Sequence, residues 1–181
     1  MKPFILLAAT LLAASATAAT PVPTWSTLGT NKPIADSPSR QSKDGFGGSL
    51  VVVTDADWAK KWDTPSSTVP TFNEAHDIGK GQRVFALIFF ANPLPDARGT
   101  IDLACDIDFL RPDGSSALHQ AGLPCWHAPL QGPLANTYLS QPVAEFSGDP
   151  PDPVGDWVVR VTLTDKVRHT TLALKTSFHL H

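Results

Sequence analysis

Thr100-Ile101-Asp102-Leu103-Ala104-Cys105-Asp106-Ile107-Asp108-Phe109-Leu110 alternates apolar and polar residues along nearly its whole length. A period of two marks a half-buried β-strand, because successive side chains leave opposite faces of the extended backbone. Ile101, Leu103, Cys105, Ile107 and Phe109 are thereby set inward, and Asp102, Asp106 and Asp108 outward. Arg111-Pro112-Asp113-Gly114 follows, with Pro and Gly where a tight turn favours them, and predicts a hairpin returning through Ser115 to Gly122 as a weaker strand. In that register Cys105 faces about Gln120, so Cys125 would have to fold back to reach it.

The same logic extends in both directions. Trp157 to Thr164 alternates with its odd positions inward, and Thr170 to the C-terminus places Leu172, Leu174, Phe178 and Leu180 on one face. Gln82 to Ala91 is apolar on both faces, which predicts a central strand. Leu50-Val51-Val52-Val53-Thr54 is a compact β-branched run, and Thr137 to Phe146 is a strand interrupted by Pro142, hence an edge or bulged one. One short helix is predicted after Val53, with Asp55 as its N-cap, the lysines late, and Trp58 and Trp62 sharing a face at i,i+4. The sum is an all-β, two-sheet antiparallel β-sandwich of about seven strands with one short helix, over residues 48–181. Seventeen prolines and only 17 % charged residues exclude a coiled coil or long-helix protein.

The N-terminal residues predict export. Met1-Lys2, an apolar run from Phe4 to Ala14 broken only by Thr10, and Ser15-Ala16-Thr17-Ala18-Ala19 form the three regions of a signal peptide over 1–19. The apolar run is too short for a membrane span, and no later segment of the mature chain suits one. A periplasmic or secreted location is expected, where Cys105 and Cys125 would pair and close a loop worth about 3 kcal/mol. A reactive thiol and a metal thiolate are the alternatives, although neither Cys-x-x-Cys nor zinc-type Cys/His spacing is present. Residues 20–47, rich in Pro, Ser, Thr, Lys, Asn and Gly, read as a flexible arm with Trp25 placed to dock on the body and Gly45-Phe46-Gly47-Gly48 as a hinge.

Asp152-Pro153-Val154-Gly155-Asp156-Trp157-Val158-Val159-Arg160-Val161-Thr162-Leu163-Thr164-Asp165, with Leu172-Ala173-Leu174-Lys175-Thr176-Ser177-Phe178-His179-Leu180 after it, resembles the closing hairpin of many immunoglobulin-like bacterial extracytoplasmic domains. Together with Asp57-Trp58-x-x-x-Trp62-Asp63-Thr64-Pro65, the Leu87-Ile88-Phe89-Phe90 run and Arg111-Pro112-Asp113-Gly114, the region from Val51 resembles uncharacterised secreted bacterial proteins with an immunoglobulin-like β-sandwich. The resemblance implies a fold and brings no activity with it. It departs from antibody-type domains in that Cys105 and Cys125 stand too close in sequence for an inter-sheet bridge.

Chemistry is sparsely marked. A formal charge of −3 offers no electrostatic footprint for nucleic acid. His179 and His181 alternate on one strand, so both rings leave the same face and would share a copper or zinc ion if His76, His119, His127 or His169 supplied a third ligand. Asp149, Asp152 and Asp156 around a proline-rich turn offer oxygen ligands to calcium, with a solvated loop as the plainer reading. Asp102, Asp106 and Asp108 would suit acid–base hydrolysis if one were desolvated, whereas pairing with Arg160 and Lys175 across the sheet explains them structurally. No Gly-x-Ser-x-Gly elbow, His-Glu-x-x-His helix, P-loop or Gly-x-Gly-x-x-Gly is present. Five tryptophans, Trp25, Trp58, Trp62, Trp126 and Trp157, would line a carbohydrate or peptide groove if exposed together, although Trp58, Trp62 and Trp157 read more simply as core. Trp126, with His127 beside it in a predicted loop, is the least explained and marks a contact site. The expectation is an exported, non-catalytic binding module for protein or glycan that needs no cofactor. Copper or zinc handling through His179 and His181, and hydrolysis by the strand-face carboxylates, are the alternatives.

Overall fold

A computed structural model describes residues 25–26, 32–65 and 69–181. The predicted signal peptide lies outside the described residues. The architecture is an all-β sandwich of two five-stranded sheets. In chain order the elements are β1 (Arg40–Lys43), β2 (Phe46–Val53), α1 (Trp58–Trp62), β3 (Asp77–Ile78), β4 (Arg83–Ala91), β5 (Thr100–Leu110), β6 (Ser116–Pro129), β7 (Thr137–Leu139), β8 (Ala144–Ser147), β9 (Gly155–Asp165) and β10 (Thr170–Leu180). The first sheet runs β1-β2-β4-β7 with β8 also on β4, and the second runs β3-β10-β9-β5-β6.

The alternating rows close over each other as their period requires. Ile101, Leu103, Ile107 and Phe109 of β5, Trp157, Val159, Val161 and Leu163 of β9, and Leu172, Leu174, Phe178 and Leu180 of β10 are all buried. They meet Leu50 and Val52 of β2 and Val84, Ala86, Ile88 and Phe90 of β4 in one core. Trp157 is fully buried in a cluster with Phe146 and Phe178, its indole N–H donating to Pro153 O at 3.0 Å. Strand β4 is buried on both faces, as its sequence predicts. Its other row, Phe85, Leu87 and Phe89, forms a second cluster outside the sandwich.

Ten strands form among the described residues where about seven are predicted. Thr137 to Phe146 splits at the cis Gln141–Pro142 bond into β7 and β8, both paired with β4. The two-residue β3 lies parallel to β10, which makes that sheet mixed. Strand β1 lies within the segment read as an arm, and the glycines read as a hinge belong to the β1–β2 hairpin. Asp44 and Gly45 both adopt positive φ (52° and 80°), as a two-residue hairpin loop requires, and Lys43 pairs with Phe46 across it. Gly48 permits the close approach of β2 to the opposite sheet, since a Cβ there would stand 2.9 Å from Leu172 and 3.0 Å from Leu163. Trp25 docks as expected, its indole N–H donating to Gln41 O at 3.2 Å.

One end of the sandwich is closed by a polar network around Asp165, which is fully buried. Its carboxylate accepts from Leu94 N and Arg168 N, and the Arg168 guanidinium reaches Asp44 O at 2.8 Å and Asn92 O at 3.1 Å. The β1–β2 turn is thereby tied to the β9–β10 turn, which explains why the polar Arg40–Lys43 stretch is held in a sheet.

Cys105 and Cys125 form a disulfide between neighbouring strands of one sheet. No fold-back is needed. Register shifts between Leu103/Ala104 and Cys105/Ile107 leave Cys105 opposite Leu123 and carry β6 on as a strand through Cys125. Substituting Gly48→Ala is expected to overpack the sandwich and lower stability by about 1–3 kcal/mol. Urea unfolding checks this, and unchanged stability would contradict the close approach of β2.

Candidate functional site

Trp58 and Trp62 leave the same side of α1 and pack on the outer row of β4, with ring centroids 6.4 Å from Phe85 and 5.3 Å from Phe89. They are half-buried and pack against the apolar cluster on the outer face of β4, not against the one between the sheets. The helix is anchored from its N-terminal side by Asp55. This carboxylate is 7 % exposed and takes Lys61 Nζ at 2.5 Å, Asn73 N at 2.6 Å and Asn73 Nδ2 at 2.7 Å. It does not serve as the N-cap. That position belongs to Asp57, which makes no side-chain capping bond. Burial works to raise the Asp55 pKa, but the hydrogen bonds from Lys61 and Asn73 outweigh it and hold the carboxyl below its ordinary value.

Opposite α1 stand Trp126 of β6 and Tyr138 of β7. Their ring centroids are 6.1 Å apart, and they lie 5.4 Å and 5.6 Å from Phe90. Each polar tip is tied locally, Trp126 Nε1 to Ala128 O at 3.0 Å and Tyr138 OH to Pro133 O at 2.9 Å, which fixes both rings. Burial pushes the Tyr138 pKa up, so the phenol stays a donor. Between these walls runs Leu139-Ser140-Gln141-Pro142-Val143. Ser140 N donates to Ile88 O at 2.8 Å and Gln141 N to Cys125 O at 2.9 Å, so this segment is pinned to both sheets.

Trp58, Trp62, Trp126 and Tyr138 thus line a single cleft of about 390 Å³, with Ser140 and Gln141 among the other lining groups and Asp63 at its edge of α1. Small-molecule sites commonly enclose roughly 300–1,000 Å³. Ser140 is 2 % exposed, and its hydroxyl has no hydrogen-bond partner among the described residues. A buried hydroxyl in that condition costs about 1–3 kcal/mol, so it calls for an explanation. Sequence reasoning singled out Trp126 and missed Tyr138, Ser140 and Gln141, which carry no local signal. It also placed Trp126 in a loop, whereas the residue lies in β6.

The remaining sequence-predicted residues lie elsewhere. His127 follows Trp126 on the strand and is exposed, its Nδ1 3.6 Å from Asp102 Oδ1. His179 Nδ1 sits 2.7 Å from Asp156 Oδ1, and His181, just past the end of β10, is exposed with its backbone bonded to Ile78 and Lys80. Among the described residues, no group of three His, Cys, Asp or Glu side chains is placed to hold a metal ion. Asp102 pairs with Lys166 at 3.1 Å, Asp106 accepts from Gly122 N at 2.7 Å, and Asp108 meets His119 Nδ1 at 2.6 Å. Asp108 also lies opposite Arg160 in the β5–β9 register, but no direct ion pair joins these aspartates to Arg160 or Lys175 among the described residues, and none of the three carboxylates lines the cleft. In the proline-rich turn the Lys80 ammonium bonds to the backbone carbonyls of Asp149 and Asp152, the Asp152 carboxylate accepts from Asp149 N, and Asp156 meets His179.

No family model and no curated protein matches the chain. Solved structures similar to it include a family 123 glycoside hydrolase from Clostridium perfringens, at 10 % identity and a TM-score of 0.43 over 75 % of this chain and 27 % of that one. An alkylpurine DNA glycosylase from Pseudomonas fluorescens, bound to DNA containing an abasic site analogue, matches at 15 % identity and a TM-score of 0.33 over 58 % of this chain and 27 % of that one. At such scores neither likeness bears on activity here.

Because Asp55 anchors the helix that forms one wall, Asp55→Ala is expected to cost about 3 kcal/mol. Its folded-state pKa is depressed, so the contribution is full above the unfolded value of 3.8 and is lost as pH falls through the lower folded value. Urea unfolding of both proteins across pH should show the difference shrinking below about 3.8. A difference independent of pH would contradict the anchor.

Proposed function

We propose that this protein is an exported, non-catalytic binding module with an immunoglobulin-like sandwich, and that its ligand, a glycan or a protein segment, seats in the aromatic cleft. The convergence of Trp58, Trp62, Trp126 and Tyr138 from three separate elements on that cleft carries the reading. Aromatic rings offer a large apolar contact at little cost in conformational entropy, and they are enriched where proteins grip ligands. The lining supports binding over turnover: Asp63 is its one carboxylate, and Ser140 has no base in contact with it among the described residues.

The strand order supports the immunoglobulin-like arrangement. Sheets β2-β4-β8 and β10-β9-β5-β6 correspond to the A-B-E and G-F-C-C′ orders of such domains, with β1, β3 and β7 as additions. Export is supported by the sequence of the first residues and by the Cys105–Cys125 bridge, which persists in oxidising compartments. No helix among the described residues is long and apolar enough to cross a membrane.

Intrinsic fluorescence is the direct readout, because the cleft holds tryptophans on both walls. Titration with a panel of oligosaccharides and short peptides should give a saturable change for at least one member. Trp126→Ala should weaken that ligand at least tenfold, about 1.4 kcal/mol, and the ligand should be recovered intact after prolonged incubation. Cleavage of the ligand would contradict the non-catalytic reading, and silence across the panel would contradict the binding reading.

A further inference from the structure

We infer that the cleft takes a neutral oligosaccharide; this rests on the binding reading above and narrows it to one ligand chemistry. Three observations point the same way. First, the walls are aromatic faces, which suit the apolar C–H face of a sugar ring. Second, the polar groups between them are side chains of mixed hydrogen-bonding character. The Ser140 hydroxyl donates and accepts, the Gln141 amide offers two donors and an acceptor, and Asp63 only accepts. Sugar hydroxyls, being donors and acceptors at once, can satisfy all three, and one of them would supply the partner that the buried Ser140 hydroxyl lacks.

Third, the backbone of this segment argues against an extended peptide. A peptide that adds to a sheet needs free main-chain groups, but Ser140 N is spent on Ile88 O and Gln141 N on Cys125 O. The main-chain donors of Ser140 and Gln141 are thereby closed to a ligand. Among the described residues the lining contains Asp63 and no Lys or Arg, so a carboxylated or phosphorylated sugar meets a like charge that no lining cation offsets. Neutral sugars are thereby selected by repulsion of the acidic ones as much as by attraction.

The test uses isothermal titration of the full exported chain with cellotetraose and chitotetraose as neutral probes, tetragalacturonate as the acidic probe and a proline-rich decapeptide as the peptide probe. A neutral tetrasaccharide should bind at least tenfold more tightly than tetragalacturonate, and Asp63→Asn should bring the two within about threefold. Ser140→Ala should weaken the neutral sugar about tenfold while leaving the unliganded protein as stable as before or more so, an outcome that a structural role for Ser140 would reverse. Equal affinity for neutral and acidic sugars, or an unchanged affinity in Ser140→Ala, overturns the inference. Binding of the peptide alone overturns it and leaves the binding reading standing. Failure of every probe, with a folded protein shown by its cooperative unfolding, overturns both.

Discussion

Strand β4 is buried on both faces, and the rest of the molecule is arranged around that fact. Val84, Ala86, Ile88 and Phe90 fill the sandwich from one side, and Phe85, Leu87 and Phe89 need cover on the other. A sheet with a bare row of that size would expose a contiguous apolar patch. The cover is α1 and its neighbouring loop, contributing Trp58, Trp62 and Phe72. A five-residue helix cannot hold itself together in water, so its place depends on this packing and on the Asp55 clamp. The cleft exists because the cover stops short of Trp126 and Tyr138, leaving space between the α1 rings on Phe85 and Phe89 and the rings that rest on Phe90.

Much of the fold is legible in the sequence where burial is one-sided and complete. Strands β5, β9 and β10 alternate because one face of each meets the core, and the expected inward residues are buried in all three. Strand β4 reads as central because it lacks a polar row. Elements without a buried face are harder to read. Strand β6 lies at a sheet edge, is largely exposed and carries bulges, so its composition shows no period, and its far half, with Trp126, looks like a loop. Strand β1 is polar and is held by its hairpin and by the Arg168 network. Its one local signal is the Asp44-Gly45 dipeptide. Strand β3 has two residues and no pattern of its own.

The cleft follows the same division. Sequence supplies the tryptophans and the i,i+4 spacing of Trp58 and Trp62. It cannot bring residues 58, 62, 126 and 138 together, since they stand on three separate elements that only the fold sets around one cleft. Ser140 is invisible for a further reason. Its interest lies in an unpaired hydroxyl, and pairing is a property of the folded surroundings. The histidines and strand-face aspartates show the converse. They stand out in the sequence, but His119, His127 and His179 each meet a single aspartate on an exposed surface.

The dependence of the cleft on the outer row of β4 can be measured directly by hydrogen exchange, comparing the wild type with Phe89→Ala. Protection should fall across α1 and residues 137–143 while β5, β9 and β10 keep theirs. Uniform loss through both sheets, or no change around the helix, would contradict the view that this one doubly covered strand supports the site.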